Sequence, residues 1–148
     1  MLDYPMEFRT LRLSGQPPAP RALSLYKALF GAAAEGMLDR DIQDYGRHRI
    51  APWPLSHAGR AVGVGGFRIG FGHDGREVVC QFLPDAGGEG LASEYLASAL
   101  DHGRIVLRGD RFFGRVARDN AASLRVMAKA GFVETGAATD DPVTLRLR

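Results

Sequence analysis

The chain has 148 residues, of which 45% are hydrophobic, and 19 basic against 17 acidic residues give a formal charge of +2. That length and apolar content suit one domain with a sizeable core over residues 1–148, and the charges are spread along the chain without the basic stripe that grips nucleic acid. The lone cysteine, Cys80, excludes an intrachain disulfide and a multi-cysteine metal site. No run approaches the ~20 apolar residues of a membrane span, and no signal peptide opens the chain, so a cytoplasmic location is the expectation.

Residues 8–13 alternate, with Phe8, Leu11 and Leu13 against Arg9, Thr10 and Arg12, which predicts a first strand. The prolines of residues 16–20 break it. Pro20 suits the start of a helix reaching about Phe30, with Leu23, Tyr26, Leu29 and Phe30 on its buried face. Residues 31–36 are alanine-rich and ambiguous. A second short helix is predicted over 39–50, marked by Ile42, Tyr45 and Ile50 and ended by Pro52 and Pro54. Trp53, between those prolines, either lines an acceptor site or packs in a core or lid. A short strand at 55–57, a turn at 58–60, a glycine-interrupted strand at 61–71 and a hairpin turn at 72–75 follow. His73 and Asp74 suit that turn. A central strand is predicted over 76–83, then a helix from Gly90 to at least His102. Leu96, Leu100, Gly103 and Leu107 keep helical spacing, which carries it to about Leu107 despite an interior glycine. A strand at 111–117, a helix opened by Asn120, and a closing pair of strands at 132–136 and 143–148 complete the chain.

The most informative stretch is residues 77–93, an apolar strand, Pro84, a glycine loop and a helix start. Gly87, Gly88 and Gly90 let backbone approach a ligand closely, and the first helical amides have no partner within the helix. Those amides and the helix dipole favour an anion, most often phosphate. A Walker loop would end in Gly-Lys-Ser/Thr, but the only lysines are Lys27 and Lys129. A dinucleotide fingerprint would place Gly or Ala where Ser93 stands, and it usually opens its fold. The sequence Gly88-Glu89-Gly90-Leu91-Ala92 instead resembles the Gly-x-Gly-x-Ala core of GNAT N-acetyltransferases. A plain glycine-rich turn is the other reading of the loop taken alone.

A second segment supports the resemblance. Residues 120–132 are similar to the second GNAT signature, in which an Asn opens a helix ending in Lys-x-Gly-Phe, here Lys129, Gly131 and Phe132. Asn120 or Asp119 caps that helix, and Gly131 supplies its left-handed stop. The separation of the two motifs also fits the family. Ser123 and Val126 resemble the branch containing ribosomal-protein N-terminal acetyltransferases. The likeness is strong over residues 76–134 and thin over the N-terminal half.

The resemblance implies an α/β (α+β) fold with a mixed, mostly antiparallel sheet flanked by helices. It implies an acetyl-CoA-dependent enzyme that acetylates a primary amine, either a protein N-terminus or a small molecule, by direct attack and without a metal. The backbone of Gln81, Phe82 and Leu83 would bind the pantetheine arm, and an amide near Phe82 would polarise the thioester carbonyl. The amides of Gly88, Glu89, Gly90, Leu91, Ala92 and Ser93 would hold the pyrophosphate, and Asn120 would contact the coenzyme or order the loop. Asp85 stands where many members carry Gln or Arg, and is expected to point to solvent. Glu77 occupies a position where members often place an acid near the amine. It is either the base or a solvated strand-end charge paired with Arg68 or Arg76. The family's frequent proton-donating Tyr is replaced by Met127, which cannot donate. Ser123 is the substitute donor, or simply a first-turn hydroxyl. Cys80 reads as a small core residue. The rival functions are a catalytically inactive coenzyme A-binding sensor and an interaction module of the same fold. A homodimer is open.

Overall fold

A computed structural model describes residues 7–69, 75–105 and 111–148. The alternating run at 8–13 is not one strand. It folds into a small hairpin of β1 (Phe8–Arg9) and β2 (Ser14–Gly15), with Phe8 opposite Gly15. The Thr10 amide donates to the Leu13 carbonyl at 2.9 Å and closes the turn. Phe8 and Leu13 stay buried, but Leu11 sits at the tip, 93% exposed. Glu94 is the physical reason for the bend, because it accepts from both the Thr10 hydroxyl and the Arg12 amide and holds the turn against a helix.

A 3-10 turn at Pro20–Ala22 leads into α1 (Leu23–Phe30), as the proline predicts. The second helix, α2 (Ala34–His48), starts earlier and stops sooner than predicted. Ala34, Leu38 and Asp41 share one buried face at helical spacing, which extends the element upstream of residue 39. Arg49 ends it in the left-handed region at φ 58°, ahead of the prolines. Pro54 lies inside β3 (Trp53–His57), and Trp53 is a core residue stacked on Phe8.

β4 (Arg60–Arg68) and β5 (Arg76–Phe82) follow, then α3 (Leu91–Ile105) and β6 (Phe112–Val116). The chain closes with α4 (Ala121–Lys129), β7 (Phe132–Thr135) and β8 (Val143–Leu147). The expected turn residues 72–74, and the expected helical residues 106 and 107, lie outside the described residues. Among the described residues no helix is long and apolar enough to cross a membrane.

Among the described residues the sheet has eight strands, in the order β1-β2-β3-β4-β5-β6-β8-β7. Every neighbouring pair is antiparallel except β5 and β6. Alternation along β4 and β5 sorts their side chains to two faces. Phe67, Val78 and Cys80 join the larger core with Tyr95, Leu96, Ala99 and Leu100 of α3. Val64 and Val79 join a smaller core with Leu25, Tyr26 and Leu38 of α1 and α2.

Tyr95 fastens α3 to the sheet in an unusual way. Gly66 and Val79 face each other across β4 and β5. The Tyr95 hydroxyl sits between them, accepting from the Gly66 amide and donating to the Val79 carbonyl. A Cβ at Gly65 would collide with the Tyr95 ring, so glycine there is a matter of space.

The parallel seam is short. β5 and β6 are paired only at Arg76 with Phe112 and Glu77 with Phe113. Beyond Glu77 the strands part, and the N-terminal end of α4 packs toward the gap.

Candidate active site at the β5–β6 opening

One edge of β5 faces this opening, and alternation of the backbone shows which groups it presents. The Leu83 amide bonds to the Val62 carbonyl on the β4 side at 2.8 Å. The Cys80 carbonyl instead accepts the Ser123 hydroxyl at 3.1 Å. Along a strand, successive residues direct their amide and carbonyl to opposite edges. Phe82, one residue before Leu83 and two after Cys80, therefore turns its amide toward the opening. The partly buried Phe82 ring packs toward Tyr95. Leu83 is partly buried against the smaller core.

At the mouth of the opening, Asn120 caps α4. Its Oδ1 accepts from the Ser123 amide at 3.1 Å, and its Nδ2 donates to Gln81 Oε1 at 3.2 Å. A single side chain thus closes a helix end and ties it to β5. Ser123 is buried, and both its amide and its hydroxyl are engaged. Met127, one turn further on, is wholly buried against Gly114 of β6, where a Cβ would collide with its methyl. Burial pushes the Cys80 thiol up to about 12, which suits a core residue rather than a nucleophile.

The glycine loop lies past the end of β5. A 3-10 turn at Pro84–Ala86 precedes it. Gly88 and Gly90 both take positive φ, 85° and 75°, which other residues adopt only with strain. Glu89 and both glycines are exposed. Leu91 is buried and anchors α3, so the amides of Leu91, Ala92 and Ser93 open the helix without a carbonyl one turn earlier to bind. The Asp85 side chain is 68% exposed and 3.4 Å from Arg60 Nη2, so it points to solvent as expected. A groove of about 410 Å³ runs along α3 and α4 from Ser93 past Leu96, Leu100 and Val126 to Lys129.

Another acid near the helix start is already committed. Glu94 accepts from Thr10 and from the Arg12 amide and Nε, the latter at 2.8 Å. The Thr10 hydroxyl first, and Arg12 next, hold its carboxyl down to about 2. Arg12 Nη2 is left 3.7 Å from the place a Cβ on Gly90 would occupy. No local pattern points to this cation, because it reaches the loop from the N-terminal hairpin. The loop therefore fits a phosphate on three counts: glycine backbone, open amides and a nearby guanidinium.

Glu77 lies at the other end of the opening, where β5 and β6 make their last pair. It is 6% exposed. Neither expected partner holds it. Arg115 of β6 does, with Nη2 to Oε1 at 3.1 Å and Nε to Oε2 at 3.3 Å. Arg68 is directly opposite Glu77 on β4, yet its guanidinium turns to Asp41 of α2. The Tyr26 hydroxyl completes that buried cluster, 2.6 Å from Asp41 Oδ2. Thus Gln81, Phe82, Asn120 and Ser123 meet at the opening, the loop residues 88–93 lie at the adjoining helix start, and Glu77 closes the seam. His73 and Asp74 lie outside the described residues.

Residues 16–133 match the family model described as the acetyltransferase (GNAT) domain. The chain belongs to the GNAT acetyltransferase family. Solved structures of the same fold agree in shape at low identity. An acetyltransferase from Agrobacterium tumefaciens str. C58 has a TM-score of 0.79 at 18% identity, covering 96% of this chain and 94% of that one. Mycobacterium smegmatis RimJ in complex with CoA-disulfide gives 0.68 at 15%, covering 91% and 81%. RimL, a ribosomal L7/L12 alpha-N-protein acetyltransferase, gives 0.66 at 18%, covering 97% and 93%. No curated protein matches the sequence. This GNAT acetyltransferase is thus an acyltransferase with the family's mixed sheet, and acetyl-CoA is the acyl donor typical of the family.

Proposed function

We propose that this acetyltransferase moves the acetyl group of acetyl-CoA onto a primary amine, and that the acceptor is a protein N-terminal amine or a small amine. The observation that carries this reading is the β5–β6 opening, lined by an outward-turned Phe82 amide and ending at a glycine loop with open helical amides.

The amine nitrogen attacks the thioester carbonyl carbon. The carbon–nitrogen bond forms, the carbon–sulfur bond breaks, and the thiolate leaves. The Phe82 amide stabilises the negative charge that develops on the carbonyl oxygen. The backbone of Gln81, Phe82 and Leu83 aligns the pantetheine arm as an added strand, and Asn120 keeps Gln81 in place. The amides of Gly88 to Ser93, with Arg12 beside them, hold the pyrophosphate. The amine's proton passes to Glu77 through water, since five residues of β5, about 16 Å, separate Glu77 from Phe82, and for this the acceptor displaces Arg115, which is 42% exposed. Ser123, turning its hydroxyl from the Cys80 carbonyl, relays a proton to the thiolate and takes up in exchange the proton released by the acylated nitrogen. A protein N-terminus, with a pKa near ~8, asks less of such a base than a lysine near ~10.4. The resemblance of Ser123 and Val126 to the ribosomal-protein branch favours that acceptor.

Calorimetric titration of acetyl-CoA into the purified protein, with Gly90→Glu beside it, tests the coenzyme site. Micromolar binding that the variant abolishes supports it. Thiol release over a panel of N-terminal peptides and small amines then tests the transfer. Tight binding without turnover over the whole panel would leave the coenzyme A sensor as the surviving reading.

A further inference from the structure

The Tyr26–Asp41–Arg68 cluster is wholly inside the protein and has no part in the reaction derived above. Asp41 and Tyr26 are 0% exposed and Arg68 7%. Arg68 gives Asp41 two bonds at 3.0 Å, Nε to Oδ1 and Nη2 to Oδ2. Such a pair is costly to bury and weak evidence for stability as such. Its position suggests another use. Arg68 and Glu77 are cross-strand partners on the same sheet face. Directly opposed residues stand about 5 Å apart at Cβ, well within reach of an arginine. Nothing in the strand register keeps Arg68 from closing on Glu77. What draws it away is a carboxylate on α2.

We propose that Asp41 is a positioning residue that sequesters Arg68 from Glu77, so that Glu77 is paired, among the described residues, only with the displaceable Arg115 and stays open to the acceptor amine. The proposal rests on the reading of Glu77 as the base. Four further observations bear on it. Arg115 is 42% exposed whereas Arg68 is buried, so an amine can replace the first but not the second. Tyr26 holds the Asp41 oxygen that also binds Arg68 Nη2, fixing the carboxylate's orientation. Burial alone would draw the Arg68 guanidinium down, but Asp41 above all holds it above its ordinary value, with Tyr26 and then Glu77 contributing least, so Asp41 and not Glu77 is its main partner. Finally, α1 and α2 are packed on this face through Tyr26, Leu38, Val64 and Val79, which fixes where Asp41 stands. The charged and titratable groups around Glu77 and Asp41 among the described residues are Arg68 from β4, Arg115 from β6, Arg146 from β8, Asp41 and the half-exposed Arg40 from α2, whose Nε is 3.9 Å from Asp41 Oδ1, and Tyr26 from α1.

The test reads Glu77 itself and needs no acceptor. Its side-chain carboxyl carbon is followed by NMR through a pH titration, with the signal assigned by its loss in Glu77→Gln. In Asp41→Asn the freed Arg68 turns to Glu77, and the titration midpoint falls by about one unit or more relative to the wild type. In Asp41→Asn/Arg68→Met, which removes both charges, it returns to the wild-type midpoint. A cluster that only welds the helices to the sheet gives no such return, and an unmoved midpoint in Asp41→Asn, or an equal fall in the double variant, overturns the proposal. If Asp41→Asn does not fold, Arg68→Met decides. With that cation gone, the Glu77 midpoint holds. A rise of about one unit there would mean that Arg68 already acts on Glu77, and the sequestration would be wrong. Full activity in Glu77→Gln would instead remove the base reading and leave the titration result standing.

Discussion

Glu77 shows how much a single residue depends on partners far away in the chain. Its register on β5 sets it opposite Arg68 and beside Phe113, and its carboxylate goes to Arg115. Replacing it with Gln keeps the shape and one acceptor oxygen but removes the proton-accepting charge. We expect kcat to fall by about 10²-fold or more with little change in the KM for acetyl-CoA, read by steady-state thiol release with a peptide acceptor. Ser123 has a different signature. Its hydroxyl satisfies the buried-edge carbonyl of Cys80. Ser123→Ala leaves that carbonyl without its partner and should cost about 1–3 kcal/mol in urea unfolding. Coenzyme restores part of the loss if the pantetheine arm covers the same edge. Residue identities at such points were readable from the motifs, since Asn120 and Ser123 stand at fixed offsets along one helix. Their partners were not. Arg115, Asp41 and Tyr26 lie 15 to 38 residues from the groups they bind, and no local periodicity connects them. Leu11 is the clearest failure. Its alternation pointed inward, but Glu94 bends the hairpin and leaves it in solvent.

At the scale of elements, α3 is held at both its start and its middle. Glu94 clamps the N-terminal hairpin to its first turn. Because the fold depresses this carboxyl from 4.5 to about 2, its contribution to stability is complete above about pH 4.5 and fades as pH falls toward 2. Glu94→Gln should flatten that acid limb of the stability profile, followed by thermal melts between those limits. Further along the helix, Tyr95 needs an empty position at Gly65. Gly65→Ala should destabilise by about 1–3 kcal/mol through overpacking, and Gly63→Ala, aimed at the Gln81 carbonyl, makes a second measure of how tightly β4 and β5 approach. Elements with strong local punctuation were legible: Pro20 before α1, Gly90 before α3, Asn120 and Gly131 around α4. The start of α2 was not, because an alanine run carries helix propensity without a face. The buried Asp41 also breaks the expected apolar pattern of that helix, a polar residue where hydrophobic patterning anticipates none.

For the whole molecule, the sheet has one parallel joint in an otherwise antiparallel order, and helices of both faces converge on it. A ligand that binds only the folded form raises its stability by about 2.7 kcal/mol at about a hundredfold excess over Kd. Acetyl-CoA should therefore raise Tm in a concentration-dependent way, and Gly90→Glu, folded but with its loop blocked, should show no rise. The family and the mixed sheet followed from two short motifs because backbone-binding loops demand glycine at particular places. The acceptor did not: on the proposed reading it binds the face around Glu77, which is assembled from β4, β5, β6, β8 and α2, and no contiguous segment encodes it.

The short seam between β5 and β6 has a consequence for the protein as it waits for substrate. A sheet that opens along its length has two extra edges in its interior, and unpaired edges are where sheets recruit foreign strands. Ser123 and Asn120 cover part of one edge, but the Phe82 amide still faces the gap. On the proposed reading the pantetheine arm is the missing strand, so the coenzyme also acts as a plug. The empty enzyme is then the form most prone to self-association, and its solubility in storage should track the coenzyme that accompanies it.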